Sequence, residues 1–153
     1  MTSSPTILDL EGPIHFIGIG GAGMYALAEL LLRQGRQLTG CDSKESDATR
    51  RLRELGVDIR IGHDPSHVKG VAGVVTTAAV PPDHSEIRAA RDAGIPVWKR
   101  AEALGQVVNR GTVVAIAGTH GKTSTTALTV HLLAEAGLDP TGLVGGSVPD
   151  LSL

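Results

Sequence analysis

The residues of this chain best suited to chemistry sit in two glycine-rich stretches. The first, "GIGGAG", sets Gly18, Gly20 and Gly23 in the spacing G-x-G-x-x-G. It follows an apolar run and opens an amphipathic one, the setting of a strand-to-helix turn. There Gly18 permits the tight turn, Gly20 a close approach of backbone to a diphosphate, and Gly23 close packing of helix on strand. Free N–H groups at the helix start favour an anion. Asp42 closes the next apolar run, about twenty residues on, where an acid accepts from ribose hydroxyls. The competing interpretation is a plain turn with no ligand. The loop does not choose among diphosphates: NAD, FAD and nucleotide sugars all place a pyrophosphate beside a ribose. An additional glycine, Gly21, leaves room for a bulky one.

The second stretch, "GTHGKTS", runs from Gly118 to Ser124. The usual phosphate loop reads G-x-x-x-x-G-K-[ST]. Here Gly118 and Gly121 enclose only Thr119 and His120, so the cradle is shorter, but its Gly-Lys-Thr end is intact. Backbone amides and a helix N-terminus can surround phosphates. Lys122 supplies a cation toward the outer phosphates, and the Thr123 hydroxyl is placed to bind Mg²⁺. A dehydrogenase needs only the first loop and an NTPase only the second. Together they suggest a nucleotide-linked substrate that meets ATP.

The elements that hold these loops are legible from apolar patterning. "IHFIGIG", "QLTGCD", "VDIRIG", "GVVTTAAV" and "IPVWKR" read as strands. A helix follows the first loop, with Met24, Leu27, Ala28, Leu31 and Leu32 on one face. "SDATRRLRELG" is a helix capped by Ser46 or Asp47, "DHSEIRAARDAG" one capped by Asp83 or Ser85, and "AEALGQVV" another. This alternation predicts an α/β fold, a parallel sheet with helices on both faces. A new strand–loop–helix unit starts at "TVVAIAG", its helix spanning about Lys122 to Ala136, and "PTGLVGG" is expected to add a strand. The boundary is expected near Asn109 to Thr112, giving domains over 1–109 and 110–153.

Composition limits the remaining possibilities. The chain has 153 residues and 41% hydrophobic content, enough for one domain with a core. Only 2% is aromatic, so Val, Ile, Leu and Ala must build that core. The net charge of −2 and the lack of a basic block give nucleic-acid binding little support. No apolar run approaches the ~18 residues of a membrane span, and no signal-peptide order opens the chain. The single cysteine, Cys41, cannot form an internal disulfide and is expected to be a small buried residue. A cytoplasmic location is the expectation. His63, His67, His84 and His120 raise the question of a metal, but without a Cys partner or an H-x₃-H pair on one helix they are expected to be surface or loop histidines. Trp98 is expected to pack between domains.

Taken in order, "IHFIGIGGAGM", "GCDSKES", "IGHDPSHV", "VPPDHSEIRAARDAGIPVWKRAEAL" and "AIAGTHGKTSTTALTVHLLAEAGLDPTGLVGG" resemble the amino-terminal part of the Mur ligase family, over about residues 14 to 146. The short G-T-x-G-K-T loop is that family's own form of the phosphate loop. The resemblance implies a Rossmann-like domain for the UDP part of the substrate, then the opening of a central ATPase domain. It implies ATP-dependent amide formation for the complete enzyme: the muramyl carboxylate of UDP-N-acetylmuramate becomes an acyl phosphate, and the amine of L-alanine displaces phosphate. By position, Gly18, Gly20, Gly21, Ala22, Gly23 and Met24 would contact the UDP diphosphate. Asp42 and Ser43 would face the uridine ribose. His63, Thr77, Ala78 and Ala79 would flank the uridine or sugar. Gly118, Thr119, His120, Gly121, Lys122, Thr123 and Ser124 would form the ATP loop, with Lys122 on the β/γ-phosphates and Thr123 on Mg²⁺ as the catalytic pair. Tyr25 stands where the family more often has a small residue, and Ser124 where it often has Thr.

Two other readings stay open. One is a relative that attaches a ready-made tripeptide to UDP-N-acetylmuramate during cell-wall recycling, which shares both loops. The other is an NAD(P)-binding module, which leaves the second loop unexplained. The L-alanine site and downstream Mg²⁺ ligands are absent from these residues, so the chain alone is expected to bind a UDP-sugar and ligate nothing. Residues beyond about Thr112 are expected to stay disordered, or to pair with a second copy as a homodimer by strand swapping.

Overall fold

The computed structural model describes residues 6–144. Contacts divide the chain into two units, Met1–Thr112 and Val113–Leu153.

The first unit is a five-stranded, wholly parallel sheet in the order β3-β2-β1-β4-β5. Its strands are β1 (Ile14–Ile17), β2 (Leu38–Asp42), β3 (Asp58–Ile61), β4 (Gly73–Thr76) and β5 (Val97–Lys99). The intervening helices are α1 (Ala22–Arg33), α2 (Asp47–Glu54), α3 (Ser85–Asp92) and α4 (Arg100–Val108). A 3₁₀ turn over Pro65–Val68, not expected from the sequence, is capped by Asp64, whose carboxylate accepts from the Ser66 amide. The α2 cap is Ser46, in a reciprocal box with Thr49. The α3 cap is neither Asp83 nor Ser85 but His84, whose Nδ1 accepts from the Glu86 amide at 3.4 Å.

Alternation along the central strand separates two cores. Ile14 and Phe16 join Met24, Leu27, Leu31, Leu52, Trp98, Ala103 and Val107 on the side covered by α1, α2 and α4. Ile17 joins Cys41, Val74, Val68, Ile87 and Ala90 on the side covered by α3 and the 3₁₀ turn. Helices thus lie on both faces, as expected. Each fully buried aliphatic or Phe side chain contributes about 1.5–3 kcal/mol. Trp98 is a core residue of this unit: a Cβ at Gly73 would sit 2.6 Å from its ring, so the glycine is what admits the indole. That replaces the expected interdomain role.

In the second unit, α5 (Lys122–Glu135) forms as expected, with Gly121 as its N-cap. Thr126 and Thr129 satisfy their hydroxyls on carbonyls one turn back, at 2.8 Å each. The strand expected at Val113–Ala117 does not form, and residues 112–118 carry no regular structure. A strand needs a ladder partner, and this segment has none among the described residues. Val113 and Val114 are accordingly exposed. The "PTGLVGG" segment is likewise irregular through residue 144, and its last two residues lie outside the described ones.

Candidate functional site

A parallel sheet collects all its carboxyl ends at one edge. The chain moves from β1 outward through β2 and β3, then returns to the other side for β4 and β5. The crevice at such a reversal, between the loops after β1 and β4, is where open α/β sheets bind ligands. The loop Gly18–Gly21 and the segment Thr77–Ala79 occupy those two positions. A Cβ at Gly18 would lie 3.5 Å from Thr77 Cγ2, so the two loops are neighbours. Asp42 and Ser43 follow β2, His63 follows β3 and Arg100 follows β5. Every first-loop residue singled out in the sequence, and each of its companions, reaches this edge.

The roles of the three glycines are partly different from expectation. Gly18 does make the tight turn, at φ +77°. Gly20 faces neighbouring side chains: a Cβ there would meet Asp42 Oδ2 and Ser46 Oγ at 3.0 Å and Thr49 Cγ2 at 3.1 Å. Its amide donates to Asp42 Oδ2 at 2.9 Å. This glycine seats the acid and the start of α2 against the loop. Gly23 admits not the strand but Arg100, whose guanidinium and Cδ would lie 3.0–3.1 Å from a Cβ there. The tight packing against the sheet occurs instead at Gly40, where a Cβ would come within 2.6 Å of Ile19 Cδ1. Gly21 faces open space apart from Gly18 O at 3.5 Å and Met24 Cγ at 3.9 Å, the room that its extra glycine suggested.

The result is an anion-seeking corner. α1 begins at Ala22 with no side-chain cap on Gly21, and no acidic residue lies in its first turn. Its first N–H groups carry the positive end of the helix dipole. Arg100, exposed and lying over Gly23, adds a full positive charge. Sequence reading missed Arg100, because only the three-dimensional return of β5 brings it to α1. Met24 has little to offer there: its side chain is 2% exposed in the core, and its amide is spent on Gly21 O at 2.9 Å. Asp42 Oδ1 keeps only long contacts, 3.4 Å to Ser43 Oγ and to the Lys44 amide, and so retains acceptor capacity. Ser43, Ala78 and Ala79 are exposed, and Thr77 is half-buried.

His63 is tied into a cluster on the α3 side of the sheet. Its Nδ1 lies 3.4 Å from Cys41 Sγ and 3.6 Å from Glu86 Oε1, and its ring stands edge-on to His84 at 4.7 Å. Fully buried Glu86 accepts from Cys41 Sγ at 3.0 Å and from the Asp64 amide at 2.9 Å, and pairs with His67 Nδ1 at 3.0 Å. Burial alone would raise the Glu86 pKa. The His15 imidazole nearby, 3.6 Å from Oε2, together with hydrogen bonds from Cys41 and the Asp64 amide, outweighs it and holds it at about 2. Burial, then the hydrogen bond to Glu86, pushes the Cys41 thiol well above its ordinary range. The expectation that the histidines lack a Cys partner is overturned, because the pairing of β2 with β3 and the turn after β3 bring Cys41 beside His63 and His67.

In the second loop Gly121 adopts φ +78°, a conformation that suits glycine. No side chain caps α5, so its first amides face outward from Lys122, Thr123 and Ser124, all exposed. The Lys122 ammonium folds back onto the Gly118 carbonyl at 2.5 Å and the Thr119 carbonyl at 3.4 Å. Gly118, Thr119 and His120 are exposed.

The model of the Mur ligase family, catalytic domain, matches residues 13–112. A UDP-N-acetylmuramate–L-alanine ligase of Leptothrix cholodnii is 50% identical over 135 residues, 88% of this chain and 29% of that protein. One of Anaeromyxobacter is 53% identical over 135 residues, 88% of this chain and 30% of that protein. Among solved structures, the UDP-N-acetylmuramate-alanine ligase of Thermotoga maritima superposes with a TM-score of 0.83 at 34% identity, over 93% of this chain and 34% of that one. A UDP-N-acetylmuramate:L-alanyl-γ-D-glutamyl-meso-diaminopimelate ligase of Neisseria meningitides gives 0.83 at 30% identity, over 93% of this chain and 45% of that one. The chain spans less than a third of the length of these curated relatives. With a family model covering most of the first unit and both glycine-rich loops in place, the chain belongs to the Mur ligase family.

Proposed function

We propose that this chain is the amino-terminal part of an ATP-dependent ligase that joins L-alanine to the muramyl carboxylate of UDP-N-acetylmuramate, a step of peptidoglycan precursor synthesis in the cytoplasm. The observation that carries this reading is the corner at the sheet's reversal, where an uncapped α1, Arg100 and Asp42 converge. The α1 amides and Arg100 would hold the UDP diphosphate, with Gly18, Gly21, Ala22 and Gly23 leaving room for it. Asp42 Oδ1 and Ser43 would accept from and donate to the uridine ribose. Thr77, Ala78 and Ala79 would line the other wall.

Residues 110–153 would open the central ATP-binding domain. Lys122 would leave the Gly118 carbonyl for the outer phosphates of ATP, and the Thr123 hydroxyl would serve Mg²⁺, which screens phosphate charge when bound. The complete enzyme would activate the muramyl carboxylate as an acyl phosphate, and the amine of L-alanine would displace phosphate. The curated relatives named above for L-alanine are 50% and 53% identical to this chain, and among solved structures an L-alanine ligase reaches 34% against 30% and 32% for two murein peptide ligases. That difference favours alanine over a tripeptide.

Calorimetry on this chain tests the substrate. UDP-N-acetylmuramate is expected to bind with micromolar affinity and NADH not at all. Binding of NADH without binding of the UDP-sugar would reject the reading.

A further inference from the structure

Four donor side chains from four elements meet beneath the α3 face of the sheet. They are His15 of β1, Cys41 of β2, His67 of the 3₁₀ turn and Glu86 of α3, and one ligand atom from each lies within 4.8 Å of all the others. His15, Cys41 and Glu86 are at most 1% exposed. His15 Nε2 is buried without a hydrogen-bond partner and lies 3.6 Å from Glu86 Oε2. A buried polar nitrogen without a partner costs about 1–3 kcal/mol, so its presence requires a reason.

We propose that His15, Cys41, His67 and Glu86 form a binding site for one divalent transition-metal cation, with Zn²⁺ the best match. Two imidazoles, a thiolate and a carboxylate are a zinc ligand set, and they are too soft for Mg²⁺ or Ca²⁺. Bond lengths of about 2.0–2.3 Å put tetrahedral ligands roughly 3.4 Å apart. The Sγ–Oε2 and Nε2–Oε2 separations, 3.0 and 3.6 Å, bracket that value. A thiolate and a carboxylate together neutralise a dication, which suits a site closed to water. On binding, the metal takes the sulfur lone pair and the thiol proton leaves to solvent.

The surroundings already have the character of an outer shell. Thr39 Oγ1 pairs with His15 Nδ1 at 2.9 Å, which turns Nε2 into the cluster, and the Asp64 amide holds Glu86 Oε1. Such partners orient metal ligands. His63, 3.4 Å from the sulfur and nearer the surface, stands at the approach. A metal here would fasten the segment after β3 to α3 and to strands β1 and β2.

The test is Co²⁺ titration of the EDTA-stripped chain, followed by absorbance and then Zn²⁺ displacement. One equivalent is expected to give tetrahedral visible bands and a near-ultraviolet thiolate-to-cobalt band, both lost on adding Zn²⁺. Cys41→Ser should remove the thiolate band, and Thr39→Val should weaken binding about 10–100-fold. Circular dichroism establishes that each variant is folded. If Cys41→Ser does not fold, the wild-type protein decides alone. A folded wild-type chain that shows no thiolate band overturns the proposal, as does a band that survives in folded Cys41→Ser.

Discussion

Substituting Gly20 separates two explanations of the first loop. If the glycine serves only to let backbone approach a diphosphate, Gly20→Ala leaves the ligand-free protein intact and weakens binding alone. The structure gives a different outcome. The new methyl would lie 3.0 Å from Asp42 Oδ2 and Ser46 Oγ and 3.1 Å from Thr49 Cγ2. Of these, Thr49 is fully buried and Ser46 is held by the α2 capping box, so little can give way. One form of relief is overpacking strain, about 1–3 kcal/mol. The other is a shift of the loop that breaks the Gly20–Asp42 bond, about 1.5–3 kcal/mol for a charged acceptor. These are alternatives and do not add, so Gly20→Ala should cost about 1–3 kcal/mol without ligand. At a urea slope of about 1–3 kcal/mol/M, the unfolding midpoint should fall by about 1 M. Gly21→Ala is the control. Gly21 has φ −65°, and its nearest neighbour is 3.5 Å away. It should change stability by less than about 0.5 kcal/mol. If ligand-free Gly20→Ala and Gly21→Ala unfold at the same urea concentration as wild type, the packing argument is wrong.

Two further outcomes follow from the same corner and its underside. Arg100→Gln should retain the wild-type melting curve, since the side chain is exposed, yet lose about tenfold or more in UDP-N-acetylmuramate affinity by calorimetry, the equivalent of ~1.4 kcal/mol; unchanged affinity would remove Arg100 from the site. Glu86 sits far below its ordinary pKa of 4.5, at about 2, so the ionised form is what the fold stabilises. His15, His63, His67, the Cys41 thiol and the Asp64 amide all face it. That stabilisation is complete above the ordinary value and is lost as pH falls from about 4.5 to about 2, a change on the order of 3 kcal/mol. Urea midpoints of EDTA-treated wild type should fall over that window, and those of Glu86→Gln should not show this component; parallel profiles would refute the assignment.

The sheet was legible because its signals are local. Apolar runs such as "IHFI" and "GVVT" declare buried strands, and the 3.6-residue spacing from Met24 to Leu31 declares α1. Strand ends were read too long: Thr77–Val80 continues an apolar run, but the ladder between β4 and β5 stops at Thr76. The missing strand at Val113–Ala117 is a different kind of miss, because β-structure belongs to a pair and not to a segment. The first loop's companions were found from offsets that a βαβ unit imposes. Arg100, His15 and Glu86 were not, since nothing in the sequence sets one strand's return against another's helix, and Glu86 reads as an ordinary first-turn acid of α3. The Cys–His partnership was hidden for the same reason: Cys41 and His67 are distant in sequence and adjacent only through the pairing of β2 with β3 and the 3₁₀ turn that follows.

The Lys122 ammonium, resting on the carbonyls of Gly118 and Thr119, makes its own loop a competitor for the cation. An incoming anion does not find a vacant charge; it must exchange against two backbone acceptors. If this loop holds an anion as proposed, its apparent dissociation constant would be the intrinsic one divided by the fraction of chains in which the lysine is already released. Weakly charged anions would be penalised most, and a polyphosphate that engages the released ammonium at several oxygens least. Under the proposed function, latching of this kind would make an open loop at the surface selective without a lid.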